Sequence, residues 1–128
     1  MPNKAHWGEV WWVDAGLDER KRFAVVSENG WNETFPTVLG VRLSTSPRRH
    51  PGPGFPLVAN QPLTIAICGE VTSIREMDLV ERVSALTPAQ MRTIAIGLLE
   101  VMQLQRLLGW QHPEIAERIG ERHRRPHR

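Results

Sequence analysis

Two short clusters in this chain carry side chains suited to handling a phosphodiester. Arg20-Lys21-Arg22 places consecutive cations at the entry to an apolar run, and Arg42-Leu43-Ser44-Thr45 closes another apolar run with a cation and hydroxyls. A cation fixed where negative charge develops is the strongest electrostatic aid to such chemistry, and a hydroxyl can donate to a phosphate oxygen. Residues two apart on a strand share a face, so Arg42 and Ser44 project together. A charge inside an apolar run needs a reason. Arg42 either reaches nucleic acid or pairs with an acid such as Glu70. On local sequence alone, the triplet reads rather as a solvated turn entering a strand.

Other chemistries find less support. The single cysteine, Cys68, lies in the apolar run Thr64-Ile65-Ala66-Ile67-Cys68. It leaves no partner for an internal disulfide, reads as an inert core thiol and fits a reducing, cytoplasmic setting. The histidines show no metal-ligand spacing: His123 and His127 are four apart, but in an arginine-rich tail. No glycine-rich phosphate fingerprint and no Ser-His-Asp arrangement is legible, so neither a metal nor an organic cofactor is expected.

The elements that must position the two clusters follow from pattern. Residues 8–14, 22–27 and 37–44 read as strands rich in Val, Trp and Leu, the third nearly all apolar and therefore central. Residues 28–32 read as a turn or one helical turn. The segment 46–56 holds four prolines and two glycines, which suits an exposed loop rather than a sheet or helix. Short strands follow at 57–59, 64–68 and 70–73, with Gly69 marking a bulge between the last two. Then the period changes. Thr87-Pro88-Ala89-Gln90 has the residues of a capping box with proline at the first helical position. Met91, Ile94, Ala95, Leu98, Val101 and Met102 follow at helical spacing, with an end expected near Gly109. Pro113 to Arg122 reads as a second, amphipathic helix. The expected fold is α+β: a small, strongly bent antiparallel sheet or open barrel with a long C-terminal helix. The expected organisation is one domain over 1–112 and a basic helix or tail over 113–128.

At 128 residues the chain is long enough to bury a core, and 41% hydrophobic with 23% charged residues is ordinary for a globular domain. No apolar stretch approaches the roughly 18 residues that span a bilayer, so no membrane partner is expected. The net charge is +2, yet four arginines fall within 122–128, so the rest of the chain stands at −2. The basic tail either holds nucleic acid without sequence preference or is a solvated end. Trp7, Trp11, Trp12 and Trp31 read as core or interface residues, or as surfaces for stacking bases. Because Trp11 and Trp12 are adjacent, only one points inward.

The wording of the strands resembles the MazF/PemK toxins. Gly8-Glu9-Val10-Trp11 matches their first strand, Lys21-Arg22-Phe23-Ala24-Val25-Val26-Ser27-Glu28-Asn29-Gly30-Trp31-Asn32 their second without a gap, and Arg42-Leu43-Ser44-Thr45 the end of their third. Cys68-Gly69-Glu70-Val71-Thr72-Ser73-Ile74 matches a later segment loosely, and Leu86-Thr87-Pro88 the start of their helix. The resemblance spans residues 7 to about 108. It implies the CcdB/MazF-like plasmid-maintenance toxin fold, an open SH3-like barrel, and a type II toxin. That toxin would be a cytoplasmic homodimer that cuts single-stranded mRNA without a metal. The substrate's own 2′-OH would attack, giving a 2′,3′-cyclic phosphate and a 5′-OH. A disordered, acidic antitoxin would be its protein partner.

Residue by residue, the resemblance places the catalytic arginine on Lys21, with Arg22 next to it, and the catalytic threonine on Ser44. It places a glutamine on Glu70 and a second arginine on Thr72. The catalytic set it implies is therefore Lys21, Arg22 and Ser44, with Arg20, Arg42, Thr45, Glu70 and Thr72 binding RNA. Arg22 can supply a two-point phosphate contact if the second strand is bulged by one residue. The departures from arginine, threonine and glutamine leave room for a non-catalytic relative: a gyrase inhibitor of CcdB type, or a plain nucleic-acid-binding barrel.

Overall fold

The computed structural model describes residues 4–16, 19–46, 52 and 54–104. Its elements are β1 (Glu9–Asp14), β2 (Arg20–Val25), α1 (Asn29–Thr34), β3 (Thr37–Ser44), β4 (Leu57–Asn60), β5 (Leu63–Arg75), a 3-10 turn at Glu76–Asp78, β6 (Leu79–Ala85) and α2 (Pro88–Met102). The six strands form one sheet in the order β4-β5-β3-β2-β1-β6. Every neighbouring pair is antiparallel. The sheet curls into a half-barrel, with α2 packed on one face. As expected, β3 is internal.

Both faces carry apolar cores, and this decides where polar side chains can go. Val10, Ala24, Val41, Leu43, Ala66 and Cys68 face α2, whose Met91 and Ile94 cover them. Trp11, Val13, Phe23, Val25, Val38 and Ile74 fill the opposite face, together with Ala5 and Leu79. Trp11 is thus the inward member of its pair, and Trp12 is the exposed one.

The capping box forms as its residues suggest: the Thr87 hydroxyl accepts from the Gln90 amide N–H, and the Gln90 side chain accepts from the Thr87 N–H. The buried stripe of α2 is rotated from the expected one. Ile96, Gly97 and Glu100 are buried, while Ala95, Val101 and Met102 are exposed. Gly97 is the cause. A Cβ there would lie 2.7 Å from Cys68 Sγ and 2.9 Å from Pro56 Cγ, so the helix approaches the sheet along its smallest residue. The helix ends at Met102, with Gln103 in the left-handed region. Gly109 and the expected helix at 113–122 lie outside the described residues.

Three further boundaries differ. The second strand begins at Arg20 rather than at residue 22 and ends at Val25, so the basic triplet is inside the sheet. The expected strands 64–68 and 70–73 are one strand, β5, because the bulge at Gly69 interrupts the ladder without ending it. Val41 pairs with Val71 and Arg42 with Ile67, which leaves Cys68, Gly69 and Glu70 as surplus on β5. β6 carries too few buried side chains to announce itself: only Leu79 is buried, and pairing with β1 holds the rest. In the proline-rich segment, Gly54 and Pro56 are buried against α2 rather than exposed.

Candidate functional site

Register places the two basic and hydroxyl clusters side by side. β2 pairs with β1 from Arg20 to Ala24 and with β3 from Arg22 to Val25, with no shift in either ladder. The bulge that would turn Arg22 into the site is therefore absent. Phe23 faces Arg42 across the strands. Cross-strand partners share a face and alternate residues repeat it, so Lys21, Arg42 and Ser44 stand together on the face opposite α2. Thr72, opposite Gly40, joins them from β5. Arg20, Arg22 and Trp12 belong to the opposite face, and the Arg22 guanidinium lies over the Trp12 ring, 5.6 Å from its centre.

Two adjoining clefts gather these side chains. The larger, about 640 Å³, is lined by Lys21, Arg42, Glu70 and Thr72, together with Asp14, Glu19, Arg75 and Asp78. The smaller, about 350 Å³, is lined by Trp12, Arg20, Arg22, Ser44 and Thr45, and shares Glu19, Lys21 and Arg42 with the first. All eight residues singled out from sequence thus line one cleft or the other. Glu19, Lys21 and Arg42 line both.

Each of these two cations has an acid. Lys21 Nζ lies 3.3 Å from Glu19 Oε1, and Arg42 Nη1 lies 3.1 Å from Glu70 Oε2. Both acids are more exposed than the cations they meet: 59% for Glu19 and 44% for Glu70, against 25% for Lys21 and 26% for Arg42. Exposed pairs of this kind are weak, so the carboxylates are replaceable ligands. Arg42 Nε is enclosed and has no hydrogen-bond partner among the described residues. The surplus residues of β5 explain the second pair: the bulge brings Glu70 over Arg42, the outcome the sequence left open beside nucleic-acid contact. The Ser44 hydroxyl oxygen accepts from the Ser46 N–H at 3.1 Å, which leaves its own proton to donate. The arrangement offers ammonium, guanidinium and hydroxyl donors on one face, as a phosphodiester contact requires.

Sequence reasoning passed over Glu19, Asp14, Arg75 and Asp78. Glu19 stands beside the triplet, which was a usable signal. Arg75 and Asp78 pair at 2.9 Å across a 3-10 turn that no pattern marked. Cys68 contributes no chemistry here. Burial, helped by the charge of Glu100, pushes its thiol up to about 12, and its Sγ lies 3.8 Å from the Ile94 carbonyl.

No family model and no curated protein sequence matches the chain. Solved structures do. An endoribonuclease from a mycobacterial species is similar at 25% identity, covering 88% of this chain and 99% of its own, with a TM-score of 0.66. A mycobacterial endoribonuclease in complex with its cognate antitoxin is similar at 23% identity, covering 85% and 99%, with a TM-score of 0.66. A MazE-MazF complex from Deinococcus radiodurans is similar at 11% identity, covering 78% and 96%, with a TM-score of 0.67. The curled six-stranded half-barrel with its C-terminal helix therefore matches the fold of the MazF-like toxins. The chain is MazF-like, as the strand motifs imply.

Proposed function

We propose that this chain is the toxin of a toxin–antitoxin pair and cuts single-stranded RNA without a metal ion. The observation that carries this reading is the convergence of Lys21, Arg42 and Ser44 on one face of a MazF-like sheet, beside an open cleft. In this reading a phosphate displaces Glu19 and Glu70 and bridges the two cations. Ser44 donates to a non-bridging oxygen. The substrate 2′-OH passes its proton to the Glu19 carboxylate as its oxygen bonds to phosphorus; the bond from phosphorus to the 5′ oxygen breaks as that oxygen takes a proton from the Lys21 ammonium, which Glu19, 3.3 Å away, can restore. The products are a 2′,3′-cyclic phosphate and a 5′-OH. Lys21 and Arg42 oppose the charge that builds on phosphorus, which is the largest single contribution such a site makes.

The reading extends to partners. The antitoxin would cover the cations with an acidic, apolar segment that folds on binding. The toxin would act as a homodimer in the cytoplasm, and the basic residues beyond 112 would add sequence-independent phosphate contacts.

The test is incubation of purified protein with mixed-sequence RNA in EDTA, with mass spectrometry of the ends. Cyclic phosphate and 5′-OH ends are expected, and the triple variant K21A/R42A/S44A should be inactive. Intact RNA, or cutting that survives the triple substitution, overturns the reading. Gyrase inhibition without RNA cleavage would favour a CcdB-type binder instead.

A further inference from the structure

We propose that Trp12 and Arg22 form a platform that stacks one unpaired nucleobase of the RNA, next to the phosphate held by Lys21 and Ser44. This rests on the nuclease reading and adds a base-binding site to it. Trp12 and Arg22 are direct partners across β1 and β2, on the face opposite Lys21. The guanidinium lies 5.6 Å from the indole centre, within the range of a cation–π contact. Trp12 keeps 36% of its surface exposed. A large ring left open to water, with a planar cation already fixed against it, is a stacking surface with little ordering left to do.

Charge decides what the ring stacks on. The lining of the smaller cleft, which holds both residues, includes Arg20, Lys21, Arg22 and Arg42 but one acid, Glu19, among its described residues. The larger cleft mixes Lys21, Arg42 and Arg75 with Asp14, Glu19, Glu70 and Asp78. A protein surface without acidic residues closing over the smaller cleft would desolvate several like charges together. A nucleic-acid strand gains from the same charges. The ring has a defined border: on its other side Trp12 is paired with Glu81 of β6. That carboxylate disfavours phosphate there, so the backbone would run on the side of the triplet. Lys21 and Ser44 line the same cleft as Trp12, so a base on the platform is adjacent to the phosphate they would hold. Among the described residues, the exposed Trp7 and Trp31 line neither cleft. Trp31 lies at the far end of β3, where its Nε1 donates to the Thr37 carbonyl and its ring meets Phe35.

The experiment titrates the full chain with a mixed-sequence 2′-O-methyl oligonucleotide, which lacks the attacking hydroxyl, and follows tryptophan fluorescence and affinity at several salt concentrations. Wild type should bind with quenching. W12L should lose that quenching and bind about tenfold or more weakly, with an unchanged salt slope, because no phosphate contact is removed. W12F keeps a ring and should retain most of the affinity. R22K keeps the charge but not the plane and should weaken binding at an unchanged salt slope. W31L should match wild type. If wild type cuts RNA and binds the oligonucleotide but W12L binds equally well, the platform is wrong and the nuclease reading stands. A W12L protein with unaltered RNA affinity but a changed sedimentation coefficient overturns the platform in favour of a protein contact. If wild type neither binds nor cuts, the nuclease reading falls first.

Discussion

Phe23 and Arg42 are partners across β2 and β3, so the cation shares a side of the sheet with a ring of the core opposite α2. That pairing sets the phase of everything around it. Two residues before Phe23 is Lys21, two after Arg42 is Ser44, and all share one side of the sheet.

Removing the cation from this set should slow cleavage more than it weakens binding. K21A is expected to lower kcat by about 10²–10³-fold. K21R, which keeps the charge, should stay within about tenfold of wild type. S44A should cost roughly 10–100-fold, and S44T should restore activity because it returns the hydroxyl. Single-turnover assays at saturating protein separate these effects from affinity.

Freeing Arg42 from its acid should act in the opposite direction on binding. E70Q removes a negative charge from the cleft and keeps a hydrogen-bond acceptor near Arg42 Nη1. RNA affinity is expected to rise several-fold at low salt, with the gain shrinking as salt screens it. Weaker binding by E70Q would instead make Glu70 a residue that positions Arg42.

The contact under α2 should be intolerant of one methyl group. G97A improves helix propensity by about 1 kcal/mol, but its Cβ would meet Cys68 Sγ at 2.7 Å and Pro56 Cγ at 2.9 Å. Overpacking of this kind costs about 1–3 kcal/mol, so net destabilisation in urea is expected. The double variant G97A/C68A should lose less than the sum of the single variants, since one clash is relieved. I94A, which empties a fully buried site at the same interface, should cost about 2–5 kcal/mol.

Cys68 should give stability an alkaline limit. Its folded-state thiol is raised to about 12 from an ordinary value near 9.0, first by burial and then by the charge of Glu100. Above that ordinary value the unfolded chain releases the proton while the folded chain keeps it. The unfolded state then binds fewer protons, and stability falls as pH rises. The contribution is intact below about pH 9 and declines toward pH 12 at up to about 1.4 kcal/mol per unit. C68A should remove this component, read as the difference between the two proteins' urea midpoints from pH 8 to 11.

The legible part of this molecule was the part with strong local physics. β3 was readable to the residue because its run is nearly all apolar, and the start of α2 because Thr87, Pro88 and Gln90 satisfy orphan backbone groups in a recognisable way. The bulge at Gly69 was readable for the same reason. β6 was not, because an edge strand held by backbone pairing needs little apolar side chain. The buried stripe of α2 was misplaced because apolar spacing overlooks glycine, and Gly97 sets the approach. Within the site, alternation was enough to join Arg42 to Ser44. Placing Lys21, rather than Arg22, on the face of Arg42 required the cross-strand register, which no single strand contains.

The three surplus residues of β5 also have a bearing on how such a site can change. Cys68 is held in the core under α2, but Gly69 and Glu70 are exposed and sit between two stretches of regular pairing, so either can be exchanged while Val41–Val71 on one side and Arg42–Ile67 on the other keep their partners. The acid that meets Arg42 is carried on this slack. Charge in the cleft can therefore be rewritten by small edits to the loop of β5, with both cores and the order of the strands left as they are.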